Sequence, residues 1–339
     1  TNISKDYTIN MAWHNVSNSD ANSYILETIA GTKGLTTIAP TWFSLSDTEG
    51  NVSSLADSDY VNYAHQSNLE VWAVLRDFHG GINSYDETYE VLSYTSKRTK
   101  VINQVIAEAI ETGIDGINLD FELISTECGQ HYIQFVRELS VKCRQNGLVL
   151  SVDNYVPQPY NEHYDIEEQG AVADYVVIMG YDEHTEGSYE AGSVASIGYL
   201  KNGITDALES VPAEKLIAGV PFFTRLWFET PKTEEELADE AGTEAASYPD
   251  KVTSTAYSID EAAQVVKNAG AEAQWDKETM QNYAEWDADG GTYKIWLEDE
   301  QSLEEKLKVI KSNNLAGVAE WSLGMEDSGV WDLILQYVN

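Results

Sequence analysis

The chain has 339 residues and 42% hydrophobic content, enough for one large or two medium domains with a substantial core. Asp and Glu total 57 against 20 Lys and Arg, a formal charge of -37 at neutral pH. So acidic a surface repels nucleic acid and anionic lipid, which makes both poor partners and favours a neutral or cationic ligand.

The chain opens on Thr rather than Met, with no charged and apolar leader, and is expected to be a trimmed, mature chain compatible with export. No run approaches the length of a membrane-spanning helix. Eight apolar, strand-like runs follow, at 8–13, 35–45, 70–78, 116–122, 148–155, 175–181, 216–227 and 316–323. Helical patterns separate most of them, at 21–29, 57–65, 95–110, 130–145, 194–208 and 302–311. This alternation predicts an α/β chain folded as a (β/α)8 TIM barrel. A doubly wound open sheet is the alternative, and the lack of a Gly-rich phosphate loop after the first run counts against it. Cys128 and Cys143 fall in or beside the 130–145 helix, on the order of 20 Å apart along it, so two free, packed thiols are expected. These cysteines and 6 scattered His present no zinc spacing, and no metal or cofactor is predicted.

The rhythm breaks between the seventh and eighth runs. About 90 residues intervene where a loop and helix need about a third of that. The stretch 228–298 holds a helical pattern at 259–268 and strand-like runs at 283–287 and 292–297, flanking the hairpin signal Asp289-Gly290-Gly291. Its early part, 230–250, is acidic and poor in apolar residues and reads as a mobile loop. The predicted division is therefore a barrel of 1–227 and 299–339 with an α+β insertion of 228–298. Within the insertion, Trp275, Tyr283, Trp286 and Trp296 suit a small core of its own.

The stretch around which the rest is organised is Gly113 to Glu122. From Ile117 it alternates apolar and polar, so Asn118, Asp120 and Glu122 share one face and Ile117, Leu119 and Phe121 the other. An exposed edge strand would tolerate this pattern. The flanks, a helical pattern closed by Gly113 before it and another helix after it, instead predict a buried parallel strand. Its polar face must then line a functional site, because unpaired buried polar groups cost several kcal/mol each (~2–7).

Active sites of barrels lie at the C-terminal ends of the strands. That rule selects Trp13 and His14, Trp42 and Phe43, Arg76 and Asp77, Asp120 and Glu122, Asn154 and Tyr155, Met179 to Asp182, Arg225 and Trp227, and Trp321. Aromatic walls around carboxylates suit a sugar, which presents apolar faces and hydroxyl edges. Each aromatic alone is explained as well by packing; the recurrence at strand ends carries the signal.

Asp115-Gly-Ile-Asn118-Leu-Asp120-Phe-Glu122 resembles the DGxDxDxE signature of glycoside hydrolase family 18, with Asn118 in place of the middle aspartate. Met179-Gly-Tyr181-Asp182 is similar to that family's MxYD motif. Gly219-Val-Pro221 with Arg225 resembles its GxPxYxR pattern, Phe223 standing where Tyr is usual. Trp321 matches its strand-eight tryptophan. The Asn-containing form with Phe before the glutamate, and Tyr181-Asp182-Glu183-His184 followed by Glu190 to Ala195, resemble the spore-cortex and peptidoglycan N-acetylglucosaminidase branch. The likeness extends over the chain, and 228–298 resembles the insertion many members carry.

The resemblance implies Glu122 as general acid and then base, with a substrate acetamido group as nucleophile. It gives Asp120 the acetamido N–H and the developing positive charge, and Tyr181 the acetamido oxygen. It makes Asp182 and Trp321 substrate contacts, with Trp321 stacked beneath the sugar; the strand-end rule adds Trp13, Trp42, Tyr155 and Arg225 to the expected substrate contacts, and the shared strand face adds Asn118. Asp115, at the strand start, is taken as structural. Asn118 is expected to donate to Asp120 and keep it anionic through turnover. The implied partner is a GlcNAc-containing polysaccharide or oligosaccharide, in peptidoglycan, spore cortex or chitin. A monomer, extracellular or associated with cell wall or spore, is expected. Two other readings stand beside this one. A lectin-like relative is disfavoured by the intact Asp120, Glu122 and Tyr181 set. A Mg²⁺ or Ca²⁺ site on Asp120 and Glu122 would leave the tyrosine and tryptophan set unexplained.

Overall fold

The computed structural model describes residues 2–338. Its first sheet contains β1 (Ile9–His14), β2 (Thr37–Pro40), β3 (Phe43–Leu45), β4 (Val52–Ser54), β5 (Glu70–Arg76), β6 (Gly116–Asp120), β7 (Val149–Tyr155), β8 (Tyr175–Met179) and β9 (Leu216–Pro221). A second sheet contains β10 (Phe223–Pro231), β11 (Asp250–Ser258), β12 (Gln274–Asp276), β13 (Gln281–Ala288) and β14 (Gly291–Leu297). The chain then returns to the first sheet with β15 (Gly317–Trp321). Parallel pairing of β1 with both β2 and β15, and of β2 with β5, closes the first sheet into the expected (β/α)8 barrel.

Around the barrel lie α1 (Ile25–Ile29), α2 (Ser58–Gln66), α3 (Tyr85–Leu92), α4 (Thr95–Thr112), α5 (Gly129–Gln145), α6 (Ile166–Val172) and α7 (Ile197–Leu208). The α4 helix shows why. Val101, Ile102, Val105, Ile106 and Ala109 form one buried stripe, and Gly113, at φ 85°, closes the helix in the left-handed conformation. Strand alternation then produces two apolar layers. Ile117, Leu119 and their equivalents face the helices, while Ile9, Met11, Trp13, Trp72, Val74, Tyr175 and Val177 fill the barrel. Burying each large side chain contributes roughly 1.5–3 kcal/mol, so both layers hold the staves rigidly.

Two of the expected strands are divided. The 35–45 run breaks at Thr41 and Trp42, where Trp42 N–H folds back to the Pro40 carbonyl at 2.9 Å. The 216–227 run breaks after Pro221, where Phe222 N–H makes the last ladder bond to the Trp321 carbonyl at 2.7 Å before β10 begins at Phe223. Proline has no N–H to extend a ladder, which accounts for both breaks. As a result Arg225 and Trp227 lie on β10, antiparallel to β11 and β14, rather than on a barrel stave. The second sheet therefore begins at Phe223, ahead of the expected boundary at 228.

The 230–250 stretch, expected as a mobile loop, carries α8 (Glu234–Asp239) with a Thr233–Glu236 capping box. Lys232 anchors it, donating to Glu240 at 2.6 Å and to the Ala245 carbonyl at 2.7 Å. The helix α9 (Ile259–Asn268) packs Ala262 and Val266 on Ala284, Ile295 and Leu297, with Trp286 against them. The Trp296 and Tyr283 rings meet at a tilt of 41°, centroids 4.7 Å apart. The last helices are α10 (Glu300–Ser312) and α11 (Val330–Val338). Cys128 and Cys143 are free and buried.

Candidate active site

β6 delivers the central carboxyls. Asn118 and Asp120 point into the barrel, and Phe121 turns outward onto Phe135, ring centroids 5.4 Å apart. Glu122, beyond the strand end, returns to the cleft. Its position is set by Asp77, fully buried just after β5, which accepts from Glu122 N–H and Leu123 N–H, both at 2.9 Å, and from the Thr88 hydroxyl at 3.1 Å. Burial outweighs these donors and raises the Asp77 carboxyl to about 6.

The Asp120 and Glu122 carboxyls hydrogen-bond each other. Burial raises both, and Asp120 adds its repulsion to Glu122. The shared hydrogen bond lowers Asp120 and raises Glu122, so Glu122 carries the proton. The Arg76 guanidinium, at the end of β5, is a cation that favours the ionised form of Asp120. The Tyr155 hydroxyl donates toward Glu122, 3.1 Å from its carbonyl and 3.3 Å from Oε1.

Tyr181, at the end of β8, is buried edge-on against Phe223 at 6.0 Å, among Asp153, Asp182, Asp120 and Glu122. Asp182 follows with φ 63°, a left-handed conformation uncommon outside glycine, which turns its side chain into the cleft. The cleft walls raise this carboxyl and the Arg225 guanidinium offsets them. Arg225 reaches over from β10. Its Nη1 donates to Ser254 at 3.0 Å, while its buried Nε has no partner. Trp321 and Trp13 lie 6.0 Å apart at the barrel mouth, Trp13 fully enclosed and Trp321 half-buried. The cleft has a volume of about 840 Å³ and is lined by Glu122, Tyr155, Tyr181, Asp182, Tyr85 and Tyr199, among others.

Several expected contacts lie elsewhere. Trp42 is 2% exposed, donates to Asn22 Oδ1 at 2.8 Å and packs on Tyr60; the turn after Pro40 swings it into the layer under the helices, away from the cleft. His14 faces the same layer, 2.7 Å from the Tyr60 hydroxyl. Asn154 points outward, donating to Gln169 at 2.7 Å. Asn118 does not donate to Asp120. Its Oδ1 accepts from Trp13 Nε1 at 3.0 Å, and its Nδ2 donates to Ser151 Oγ and Asp153 Oδ1, both at 2.8 Å. Asp115, at the opposite end of the barrel, accepts from Val71 N–H at 2.8 Å and lies 2.7 Å from His65 Nε2.

Three residues close to the carboxyls had been given no part in the expected chemistry: Asp153, which was not selected at all, and the strand-end residues Asp77 and Arg76. Strand parity would have found Asp153, since it shares the inward face of β7 with Tyr155. Asp77 and Arg76 stood at a strand end, but nothing in the sequence says that one carboxylate will hold the backbone of another strand.

The family model described as Glycosyl hydrolases family 18 matches residues 10–326. An uncharacterized glycosylase of Bacillus subtilis, YvbX, is 25% identical over 84% of this chain and 80% of its own length. The cortical fragment-lytic enzyme of Bacillus subtilis is 26% identical over 74% of this chain, which spans 56% of that relative. A chitinase from Cycas revoluta in complex with (GlcNAc)3 superposes with a TM-score of 0.78 at 20% identity, covering 98% of this chain and all of that one; it speaks for the fold.

Proposed function

The chain belongs to glycosyl hydrolase family 18, and from that premise we propose that its cleft cleaves β-linked N-acetylglucosamine bonds with retention, using the substrate's acetamido group as nucleophile. One observation carries the reading. The two cleft carboxyls, Asp120 and Glu122, hydrogen-bond each other. They therefore cannot flank a glycosidic bond about 5–5.5 Å apart, as an acid and a protein nucleophile must. A protonated acid beside a carboxyl that stays on the same side instead suits a nucleophile brought by the sugar.

Glu122, held protonated, donates to the leaving oxygen. The acetamido carbonyl closes on the anomeric carbon to give an oxazolinium, whose positive charge and N–H fall to Asp120, while the Tyr181 hydroxyl steadies the acetamido oxygen. Glu122, now ionised, takes a proton from water, which opens the ring from the same face and restores the acid. Asp182, with the Arg225 guanidinium beside it, suits a hydroxyl of the sugar next to the cleaved bond, and Trp321 suits its apolar face. Tyr155 steadies Glu122. Trp13 and Asn118 act beneath the pocket, as its floor.

The substrate we favour is peptidoglycan, with spore cortex its most specific form and a spore or cell-wall location to match. The cortical fragment-lytic relative supports this, and the chitinase likeness makes chitin oligomers the second reading. Incubating the protein in parallel with cortex muropeptides, vegetative peptidoglycan and chitin tests both readings. Mass spectrometry of the products, with NMR of the first-formed anomer, is expected to give β-anomeric GlcNAc ends and inhibition by a GlcNAc-thiazoline. A trapped covalent glycosyl-enzyme, or an α-anomeric first product, refutes substrate assistance.

A further inference from the structure

Asp153 is a buried carboxyl that the reaction described above does not use. It lies on β7, 1% exposed. The pairing of Asn118 with Ser151 and Leu119 with Val152, carried on by one residue, sets Asp120 and Asp153 side by side on adjacent parallel strands, both facing inward. Asn118 fixes the near side of Asp153. Trp13 Nε1 can only donate, so Asn118 must turn its oxygen toward the indole and its Nδ2 toward Asp153 Oδ1. One oxygen on each of these side-by-side carboxyls is then left buried without a partner among the described residues: Asp153 Oδ2 and Asp120 Oδ1. Buried orphan acceptors on adjacent carboxyls are rare, because each forfeits a hydrogen bond in a medium that cannot replace it. A single proton between them satisfies both.

We propose that Asp153 is a positioning residue for hydrolysis: it keeps a proton on Oδ2 throughout turnover and donates it to Asp120 Oδ1, holding Asp120 ionised and aimed at the acetamido group. This role rests on the function read above. It also gives Asn118 a purpose. With a carboxyl on the neighbouring strand, an acid at 118 would place a third acceptor against Asp153; the amide supplies a donor there instead. No proton is consumed. The one transferred to the leaving group comes from Glu122 and is returned by water, while that of Asp153 stays in place. The titratable groups around Asp153 are Asp120 and Glu122 from β6 and its extension, Tyr132 from α5 and Tyr181 from the end of β8. Burial raises the Asp153 carboxyl and Glu122 raises it further, while Asn118 and Trp13 lower it; the charge of an ionised Asp153 would raise Asp120 in turn, a repulsion that a proton kept on Asp153 removes.

The experiment compares Asp153→Ala with the near-isosteric Asp153→Asn, which can still donate to Asp120. Asp153→Ala is expected to lose about 10- to 100-fold in kcat with KM little changed, the cost of a misaimed group in the transition state. Asp153→Asn is expected to recover at least about tenfold of that loss. Its acidic limb in kcat/KM should move to higher pH, because two carboxyls sharing a proton lose the first one more readily than a single carboxyl beside an amide. Equal losses in the two variants, or an acidic limb that overlays the parent's, overturn the proposal and leave Asp153 a packing residue. Infrared spectra of the unliganded protein near neutral pH supply a readout that needs no substrate. One protonated-carboxyl carbonyl band should be missing in Asp153→Asn, and its persistence overturns the proposal as well. If the parent cleaves no GlcNAc polymer, the functional reading falls while the infrared result still decides where the proton sits.

Discussion

The barrel and the second sheet use the same charged side chains to opposite effect. On the sheet, Lys294 meets Glu229 at 2.9 Å in a partly solvated pair on neighbouring strands. Water screens such pairs, which contribute about 0–1 kcal/mol, and β11 alternates half-buried with exposed positions along much of its length. In the barrel, Asp77, Asp120 and Asp153 are buried with Glu122 beside them, and burial raises all four carboxyls. Arg76 is the guanidinium set against Asp120 and Glu122. The difference teaches where chemistry can be done. Charges in water are stabilised by solvent and do little, whereas carboxyls crowded away from water cannot all ionise, and the proton that some of them retain is what an acid catalyst needs.

The comparison is broken most severely at Glu122. Glu122→Gln keeps the shape and removes the proton donor, so kcat is expected to fall about 10²–10⁴-fold with the fold and ligand affinity retained. Parent-like turnover in that variant would remove Glu122 from the role. Next in size is Asp77→Ala, which orphans the buried N–H groups of Glu122 and Leu123 and the Thr88 hydroxyl. At about 1–3 kcal/mol for each buried group, urea unfolding should show a loss of about 3–5 kcal/mol, with kcat reduced because Glu122 is no longer held. A loss below 1 kcal/mol would mean that water replaces Asp77 without cost.

The barrel wall also predicts a pH effect of known sign. Burial lowers His14 from 6.5 to about 4, so the folded protein holds this imidazole neutral. Protonation then favours the unfolded chain. The stabilisation is complete above pH 6.5 and is lost as pH falls toward 4. Over that window His14→Gln is expected to lose roughly 3 kcal/mol less than the parent, as read by denaturant midpoints at each pH. Parallel curves would mean that His14 finds a proton partner in the fold. The smallest effect belongs to the second sheet. Arg225→Gln removes the guanidinium beside Asp182 and is expected to raise KM about tenfold, roughly 1.4 kcal/mol, with little change in kcat. An unchanged KM would confine substrate recognition to the barrel.

The sequence by itself determined what depends on neighbours along one chain. Period-2 runs separated by helical stripes fixed the barrel, and the alternation in Asn118-Leu119-Asp120-Phe121-Glu122 put the carboxyls on one face, because side-chain direction along a strand is a local property. Only the tertiary structure decided what depends on contacts across strands. Pro40 and Pro221 divided two apparent strands, sending Trp42 into the wall and Arg225 onto the second sheet. Which partner Asn118 chose was equally invisible, since an amide flanked by polar groups can serve several of them. The register of β6 on β7 and the indole of Trp13, distant in the chain, assigned it to Asp153. The protons followed from the same source: a carboxyl's acidity is set by its desolvation and its neighbours in space, and both come into being only when the barrel closes.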